Sequence, residues 1–291
     1  MLPTREEKSH AINYPIKFPA IPIWMFKIII YIIVGLGLIF SYVKYIELKG
    51  IFFPSREVEL NPHSINLPFE DIYVKTQNNL QISAWFIPCD GAKYTLLLLH
   101  GNAGNLQDRL GKLNLLHQLG LNIFIIDYRG YGRSKGSPSE SGLYFDSQAA
   151  YNYLINTRKV SAEEIILYGE SLGTAVAIDL ASRFPVKALI LEGAFSSGKD
   201  MARIIYPFIP VFFFSDRFDS LKKIRKVRAP KLFLHSGNDE IVPFSMAKKL
   251  FAAADEPKFF VEINGDHNNA FLDSKEKCLS SILSFLHRLS T

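Results

Sequence analysis

Six short apolar runs alternate with longer segments of helical pattern between residue 94 and the C-terminus, and this alternation strongly constrains the fold. The runs are YTLLLLH, LNIFIID, EIILYG, KALILEG, KLFLHSG and KFFVEING. Each run has the length of a strand that is buried on both faces, and the segments between them are long enough for crossover helices. Before them, FEDIYVKT and LQISAWFI flank the turn QNN and predict an antiparallel hairpin. We therefore predict an α/β protein with a mainly parallel eight-stranded sheet and helices on both faces.

The N-terminal part of the chain differs in composition from the rest. Residues 21–43, IPIWMFKIIIYIIVGLGLIFSYV, carry a single charge, Lys27. As a helix they would reach roughly 35 Å, which is enough to cross a bilayer core. A buried core helix would show polar residues at helical spacing, and a cleaved signal peptide would have a shorter apolar region nearer Met1. We predict a tail over residues 1–20, a single-pass transmembrane anchor over 21–43 and one domain over 44–291.

The distribution of charges bears on membrane orientation and on nucleic-acid binding. Four basic residues precede the apolar span or lie early in it and three follow it, which predicts a cytoplasmic N-terminus and a domain on the non-cytoplasmic side. The net charge is +5, but the basic residues are spread along the chain, so we expect no nucleic-acid partner.

The two cysteines, Cys89 and Cys278, form no C-x-x-C pair and no cluster with histidines. We expect neither a disulfide framework nor a metal site.

Gly169-Glu170-Ser171-Leu172-Gly173 follows the run EIILY at a predicted junction between a strand and a helix. It matches G-x-S-x-G, in which a sharp turn exposes the serine hydroxyl above the sheet as a nucleophile. The alternative is that Ser171 only caps the helix that begins at Leu172. We prefer the nucleophile because ligands bind at the carboxyl ends of parallel strands.

A serine nucleophile needs a base and a group that orients the base. Asp239 follows the run KLFLHSG and His267 follows KFFVEING, so the chain order is Ser, Asp, His. We predict that His267 accepts the proton of Ser171 and that Asp239 fixes the imidazole tautomer. Asp266 and Glu240 are alternative acids, but a side chain adjacent in sequence seldom faces its neighbour's ring.

The loop HGNAGN, residues 100–105, follows the first of the six runs and can supply a backbone donor to a developing oxyanion. We predict the N–H groups of Leu172 and Asn102 as the two donors. His100 is expected to brace this loop. A phosphate-binding loop is not indicated, since no Gly-Lys-Ser/Thr follows.

Together, LLLLHGNAGN, IIDYRGYGRSKG, GESLGTAVA, HSGNDEIVPF and GDHNN resemble the α/β-hydrolases of the serine-hydrolase superfamily from about Phe52 onward. They are most similar to the branch with an N-terminal membrane anchor and a short lid, which includes protein depalmitoylases and many bacterial members without an assigned substrate. The resemblance implies the α/β-hydrolase fold and the same triad of Ser171, Asp239 and His267. Haloalkane or epoxide chemistry on this fold would need an aspartate at position 171.

The predicted lid covers roughly residues 196–228 and contains the apolar stretch ARIIYPFIPVFFFSDRF. This stretch predicts either a lid helix that packs on the domain or a groove for an acyl chain. The candidate groove residues are Ile204, Ile205, Phe208, Phe212 and Phe213.

The sequence thus predicts a membrane-anchored serine hydrolase that cleaves an ester or thioester, with an acyl or lipid-like substrate, through an acyl-enzyme. No cofactor and no metal are expected. The alternatives are a short-chain carboxylesterase and a non-catalytic, membrane-tethered binding module. A fragment that starts near Gly50 is expected to be soluble and active.

Overall fold

The computed structural model describes residues 22–290. The predicted tail, residues 1–20, and the first residue of the predicted anchor lie outside this part of the chain. The chain divides into two compact units between Val43 and Lys44.

Helix α1, Ile23–Lys49, is built from the apolar N-terminal segment. It continues past residue 43, where the anchor was predicted to end, and Gly50 follows its last residue. Over Ile23–Glu47 it is long and apolar enough to cross a membrane. Most of its large apolar side chains between Ile23 and Tyr42 are exposed.

The C-terminal unit contains a sheet of eight strands, numbered here along the chain. They are β1 Glu70–Lys75, β2 Gln81–Ile87, β3 Thr95–Leu99, β4 Asn122–Ile126, β5 Ile165–Glu170, β6 Ala188–Glu192, β7 Lys231–Ser236 and β8 Lys258–Ile263. Their spatial order is β8-β7-β6-β5-β3-β4-β2-β1. All pairs from β8 to β4 are parallel, whereas β2 pairs with both β1 and β4 in the antiparallel direction. The predicted hairpin and the predicted mainly parallel sheet are therefore both present, and the carboxyl ends of β3 to β8 meet at one edge.

Helices cover both faces of this sheet because its strands are apolar on both. The remaining helices are α2 Leu110–His117, α3 Glu140–Asn156, α4 Leu172–Ala181, α5 Gly198–Ile205, α6 Ser220–Ile224, α7 Phe244–Ala253, α8 Ala270–Asp273 and α9 Lys275–Arg288. Side chains of α3, α4 and α7 share one apolar core with Leu97 and Leu167, and those of α2 and α9 share the other with Leu96 and Leu98. Successive side chains of a strand point to opposite faces, which explains why neighbouring leucines of β3 belong to different cores. Each such leucine stabilises the fold by about 1.5–3 kcal/mol through its burial.

The connection between β6 and β7 contains the residues predicted to form a lid. Helices α5 and α6 lie in it, with a 3₁₀ turn over Val211–Phe213 between them. At the same edge of the sheet, Phe53–Pro54 pairs in parallel with Ala103–Gly104. These segments surround the carboxyl ends of the central strands.

Candidate active site

Ser171 lies at the turn between β5 and α4, with φ 49° and ψ −113°. A non-glycine residue in such a conformation is strained, and the surrounding structure must hold it there. The N–H of Ser171 donates to the carbonyl of Glu192 at 2.8 Å. Its side chain makes no capping hydrogen bond to α4, so the alternative of a simple helix cap does not hold.

The two glycines of the motif allow the helix to approach the sheet. A Cβ atom at Gly173 would lie 1.8 Å from the carbonyl oxygen of Leu99, and one at Gly169 would lie 2.6 Å from that of Gly173. Only glycine fits at these two positions, because α4 begins directly against β3 and β5. The close contact fixes the direction in which the Ser171 side chain leaves the turn.

The structure brings Ser171, Asp239 and His267 together in one hydrogen-bonded chain. Nε2 of His267 is 2.8 Å from Oγ of Ser171, and Nδ1 is 2.7 Å from Oδ2 of Asp239. The Asp239 side chain is almost fully buried, and that of His267 is only slightly exposed. This is the arrangement in which an imidazole can accept a serine proton while a carboxylate holds its other nitrogen.

The two alternative acids occupy other positions. Asp266 accepts hydrogen bonds from the backbone of Asn268 and Asn269 and from the Asn269 side chain. Glu240 accepts from the backbone N–H of His267 at 2.9 Å and so positions the loop. Asp239 is the carboxylate that reaches the ring.

The surroundings of His267 change its proton affinity. Burial of the ring by itself lowers the pKa, but the hydrogen bond and charge of Asp239, together with the charges of Glu192 and Glu170, outweigh it and raise the pKa above 6.5. For Asp239, burial raises the pKa, and the hydrogen bonds from His267 and from the backbone of Val242 lower it further than burial raises it. Asp239 is therefore ionised at neutral pH.

The two predicted oxyanion donors border the cavity onto which Ser171 opens. Leu172 is the first residue of α4, so its N–H has no acceptor within the helix. The hydroxyl of Tyr131 donates to the Asn102 carbonyl at 2.8 Å, which restrains this residue of the loop. His100 is fully buried, with Nδ1 2.7 Å from the carbonyl of Gly101.

A buried ionic cluster that was not predicted from the sequence lies next to the nucleophile. Lys112 of α2 donates to Glu170 at 2.7 Å and to Glu192 at 2.6 Å, and Arg109 donates to Glu170 at 2.9 Å. The hydroxyl of Tyr168 donates to Glu192 at 2.5 Å. Burial raises the pKa of Glu170, but the charges of Arg109 and Lys112 lower it by more and keep the carboxylate ionised. A charged residue at the end of each of two buried strands is the sequence signal that could have pointed to this cluster.

A cavity of about 470 Å³ opens above Ser171. Of the five predicted groove residues, only Ile205 borders it. The exposed fractions of Phe208 and Phe212 are 97% and 73%, and Ile204 is also exposed. Helix α5 presents Ile205 and Met201, which are four residues apart and share a face, to the cavity and turns Ile204 away from it. The other apolar lining residues that sequence reasoning missed include Ile46, Ile51, Phe195 and Phe214.

Within residues 22–290, no group of three or more His, Cys, Asp or Glu side chains could hold a metal ion. The expectation that neither a metal nor a cofactor is needed stays a prediction.

Comparisons with known proteins identify the fold. The model of a family described as having the alpha/beta hydrolase fold matches residues 94–213. Protein bem46 of Schizosaccharomyces pombe is 37% identical over 78% of this chain and 79% of its own length. Alpha/beta hydrolase domain-containing protein 17B of Homo sapiens is 35% identical over 69% of each chain. The crystal structure of the Pyrococcus furiosus esterase Pf2001 superposes with a TM-score of 0.68 at 20% identity, covering 81% of this chain and 98% of the esterase. The predicted fold is confirmed.

Proposed function

The chain belongs to the α/β-hydrolase family, and from this premise we propose that it is a membrane-anchored serine hydrolase. It cleaves an ester or thioester of an acyl or lipid-like group through an acyl-enzyme. The observation that carries the proposal is the hydrogen-bonded chain of Ser171, His267 and Asp239 at the base of an apolar cavity.

The reaction follows from the positions of these atoms. Oγ of Ser171 attacks the acyl carbon while Nε2 of His267 accepts its proton, and Asp239 stabilises the imidazolium. The negative oxygen of the tetrahedral intermediate is held by the N–H groups of Leu172 and Asn102. Collapse of the intermediate expels the alcohol or thiol, which takes the proton from His267. Water, activated by His267, then releases the acid and restores Ser171.

The cavity supports an acyl chain as the substrate group. Its walls include Ile51, Met201, Ile205 and Phe214, and Ser171 and His267 also line it. A largely apolar wall that includes the reacting groups suits a ligand with a polar reacting centre and an apolar tail. We propose that residues 196–228 act as a lid over this cavity.

The membrane anchor is the second part of the proposal. Helix α1 has the length and composition of a single membrane span, and the charge distribution favours a domain on the non-cytoplasmic side. An anchored enzyme of this kind meets lipid-like substrates at the bilayer surface.

A short-chain carboxylesterase is the second candidate, because four of the five predicted groove residues lie outside the cavity. Rates for p-nitrophenyl esters from acetyl to palmitoyl, each below its micelle concentration, separate the two. Each buried methylene is worth about 0.8 kcal/mol, so an acyl cavity raises kcat/KM about fourfold per methylene until the cavity is full.

Two variants test whether the cavity sets the preferred acyl length. Met201→Trp narrows the cavity, so we expect it to shorten the preferred acyl chain. Phe208→Ala is the matched control, because that side chain is exposed to solvent and should leave the preference unchanged. A rate maximum at acetyl or butyryl that Met201→Trp does not move would favour the short-chain esterase. Binding of acyl esters without any turnover would favour the non-catalytic module.

A further inference from the structure

The last turns of α1 make specific contacts with the residues that lead back from the predicted lid. From Lys44 onward the helix belongs to the same compact unit as the sheet. The Glu47 carboxylate accepts from the N–H of Ser215 at 2.5 Å and from its hydroxyl at 3.0 Å. Lys44 donates to Glu47 and to Ser215, both at 2.7 Å, and Arg217 donates to the Glu47 carbonyl at 3.2 Å. The end of α1 is therefore fixed to residues 215–217.

Glu47 is an unusual residue for this position. It is only 3% exposed, and it lies near the C-terminal end of a helix, where the helix dipole disfavours negative charge. Burying a carboxylate costs several kcal/mol unless hydrogen bonds and an opposite charge compensate for it. Ser215 and Lys44 supply that compensation, so the carboxylate and its partners hold one another in a defined geometry.

The same residues form part of the cavity wall. Ile46, Glu47 and Ile51 line the cavity on the side of α1. Phe214 and Ser215 line it on the side of the predicted lid. The hydrogen bonds of Glu47 join these two parts of one wall, so a change at Glu47 alters the space available to the substrate without touching Ser171, His267 or Asp239.

We propose that Glu47 is a positioning residue that sets acyl-chain selectivity by holding Phe214 and Ser215 against the end of α1. This inference rests on the proposed function, since it requires an acyl substrate in the cavity. Under it, the helix that carries the membrane anchor also builds the substrate site. A long acyl chain needs the wall in place, whereas an acetyl group reacts close to Ser171 and does not reach it.

The test compares Glu47→Ala and Glu47→Gln with the wild type, using the full chain in detergent micelles and p-nitrophenyl acetate and decanoate as substrates. We expect Glu47→Ala to lower kcat/KM for the decanoate about tenfold, mainly through a higher KM, and to change that for the acetate less than twofold. For Glu47→Gln, kcat/KM for the decanoate should lie between the wild-type and Glu47→Ala values, because the amide oxygen can still accept from the N–H of Ser215. Glu59→Ala is the matched control because Glu59 is exposed. It should leave kcat/KM unchanged for both substrates.

An unchanged ratio of decanoate to acetate kcat/KM in Glu47→Ala, or an equal loss on both substrates, would overturn the inference. If Glu47→Ala does not fold, Glu47→Gln and Ser215→Ala replace it, because each removes only some of the hydrogen bonds. Ser171→Ala keeps the two proposals separate. Hydrolysis that persists in Ser171→Ala counts against the proposed function, whereas Ser171-dependent hydrolysis with an unchanged ratio in the Glu47 variants counts against the role of Glu47 alone.

Discussion

At the scale of single residues, Asp239 is the side chain whose role is easiest to isolate. Asp239→Asn keeps the volume of the side chain but allows the wrong imidazole tautomer, so we expect kcat to fall by about 10⁴ with the fold intact, as in the serine-protease triad. Asp266→Asn is the control, because the Asp266 carboxylate bonds only its own loop and not the His267 ring. A loss of 10⁴ in Asp266→Asn instead would reassign the acid. Steady-state ester hydrolysis with circular dichroism of each variant makes the comparison.

The pH dependence of activity tests the electrostatics of His267. The ring must be neutral to accept the proton of Ser171, and its pKa is raised, so kcat/KM should fall as the pH drops through a midpoint above 6.5. Asp239, Glu192 and Glu170 favour the protonated ring, whereas burial opposes it. Glu170→Gln removes one of these negative charges. The positive charges of Arg109 and Lys112 are then no longer balanced by the Glu170 carboxylate. Both effects lower the pKa of His267.

We therefore expect the acidic limb of the profile to move to lower pH in Glu170→Gln. Glu163→Gln, an exposed residue that precedes β5, should leave it in place. A shift of the acidic limb to higher pH in Glu170→Gln would show that Glu170 lowers the pKa of His267 instead of raising it.

At the scale of elements, the close approach of α4 to the sheet makes the strongest prediction about stability. A methyl group at Gly173 would meet the backbone of Leu99 at 1.8 Å. Backbone cannot move aside as a flexible side chain can, so Gly173→Ala should lower the free energy of unfolding by about 3 kcal/mol or more. Gly111→Ala in α2 is the matched control, because nothing lies within 4 Å of its Cβ position. Urea unfolding should find that variant as stable as the wild type or slightly more stable.

The elements also show which parts of the fold could be predicted from the sequence. The strands were predictable because β3 to β8 are mostly apolar runs separated by segments of helical pattern. The positions of Ser171, Asp239 and His267 after three of these runs then placed all three at the same edge. The face of α5 was not predictable, since Ile204 and Ile205 are equally apolar and only the packed structure turns one towards the cavity. The ionic cluster joins Lys112 to two distant strand ends. The charges of Glu170 and Glu192 at those ends are a local signal, but nothing in the sequence indicates that Lys112 is their partner.

At the scale of the whole molecule, α1 is proposed to be a membrane anchor. The full chain should stay with the membrane after high-salt and carbonate washing, because removing about 20 apolar residues from lipid is strongly unfavourable. A fragment that begins at Lys44 should appear in the soluble fraction. Full-length protein in the wash supernatant would contradict the anchor.

The end of α1 also changes an expectation drawn from the sequence alone. A fragment that starts near Gly50 was expected to be active, since the sequence assigned the helix only the role of a membrane anchor. Such a fragment lacks Lys44, Ile46 and Glu47, which contact Ser215 or line the cavity. We now expect it to hydrolyse acetyl esters and to lose its preference for longer chains.

The central claim is that Ser171 carries the acyl group during the reaction. The most direct measurement is mass spectrometry of the full chain after rapid quenching with an excess of p-nitrophenyl decanoate, followed by peptide mapping. We expect an added mass equal to one decanoyl group, located on Ser171 and absent from Ser171→Ala. Turnover of the ester in Ser171→Ala at the wild-type rate, or an adduct on another residue, would contradict it.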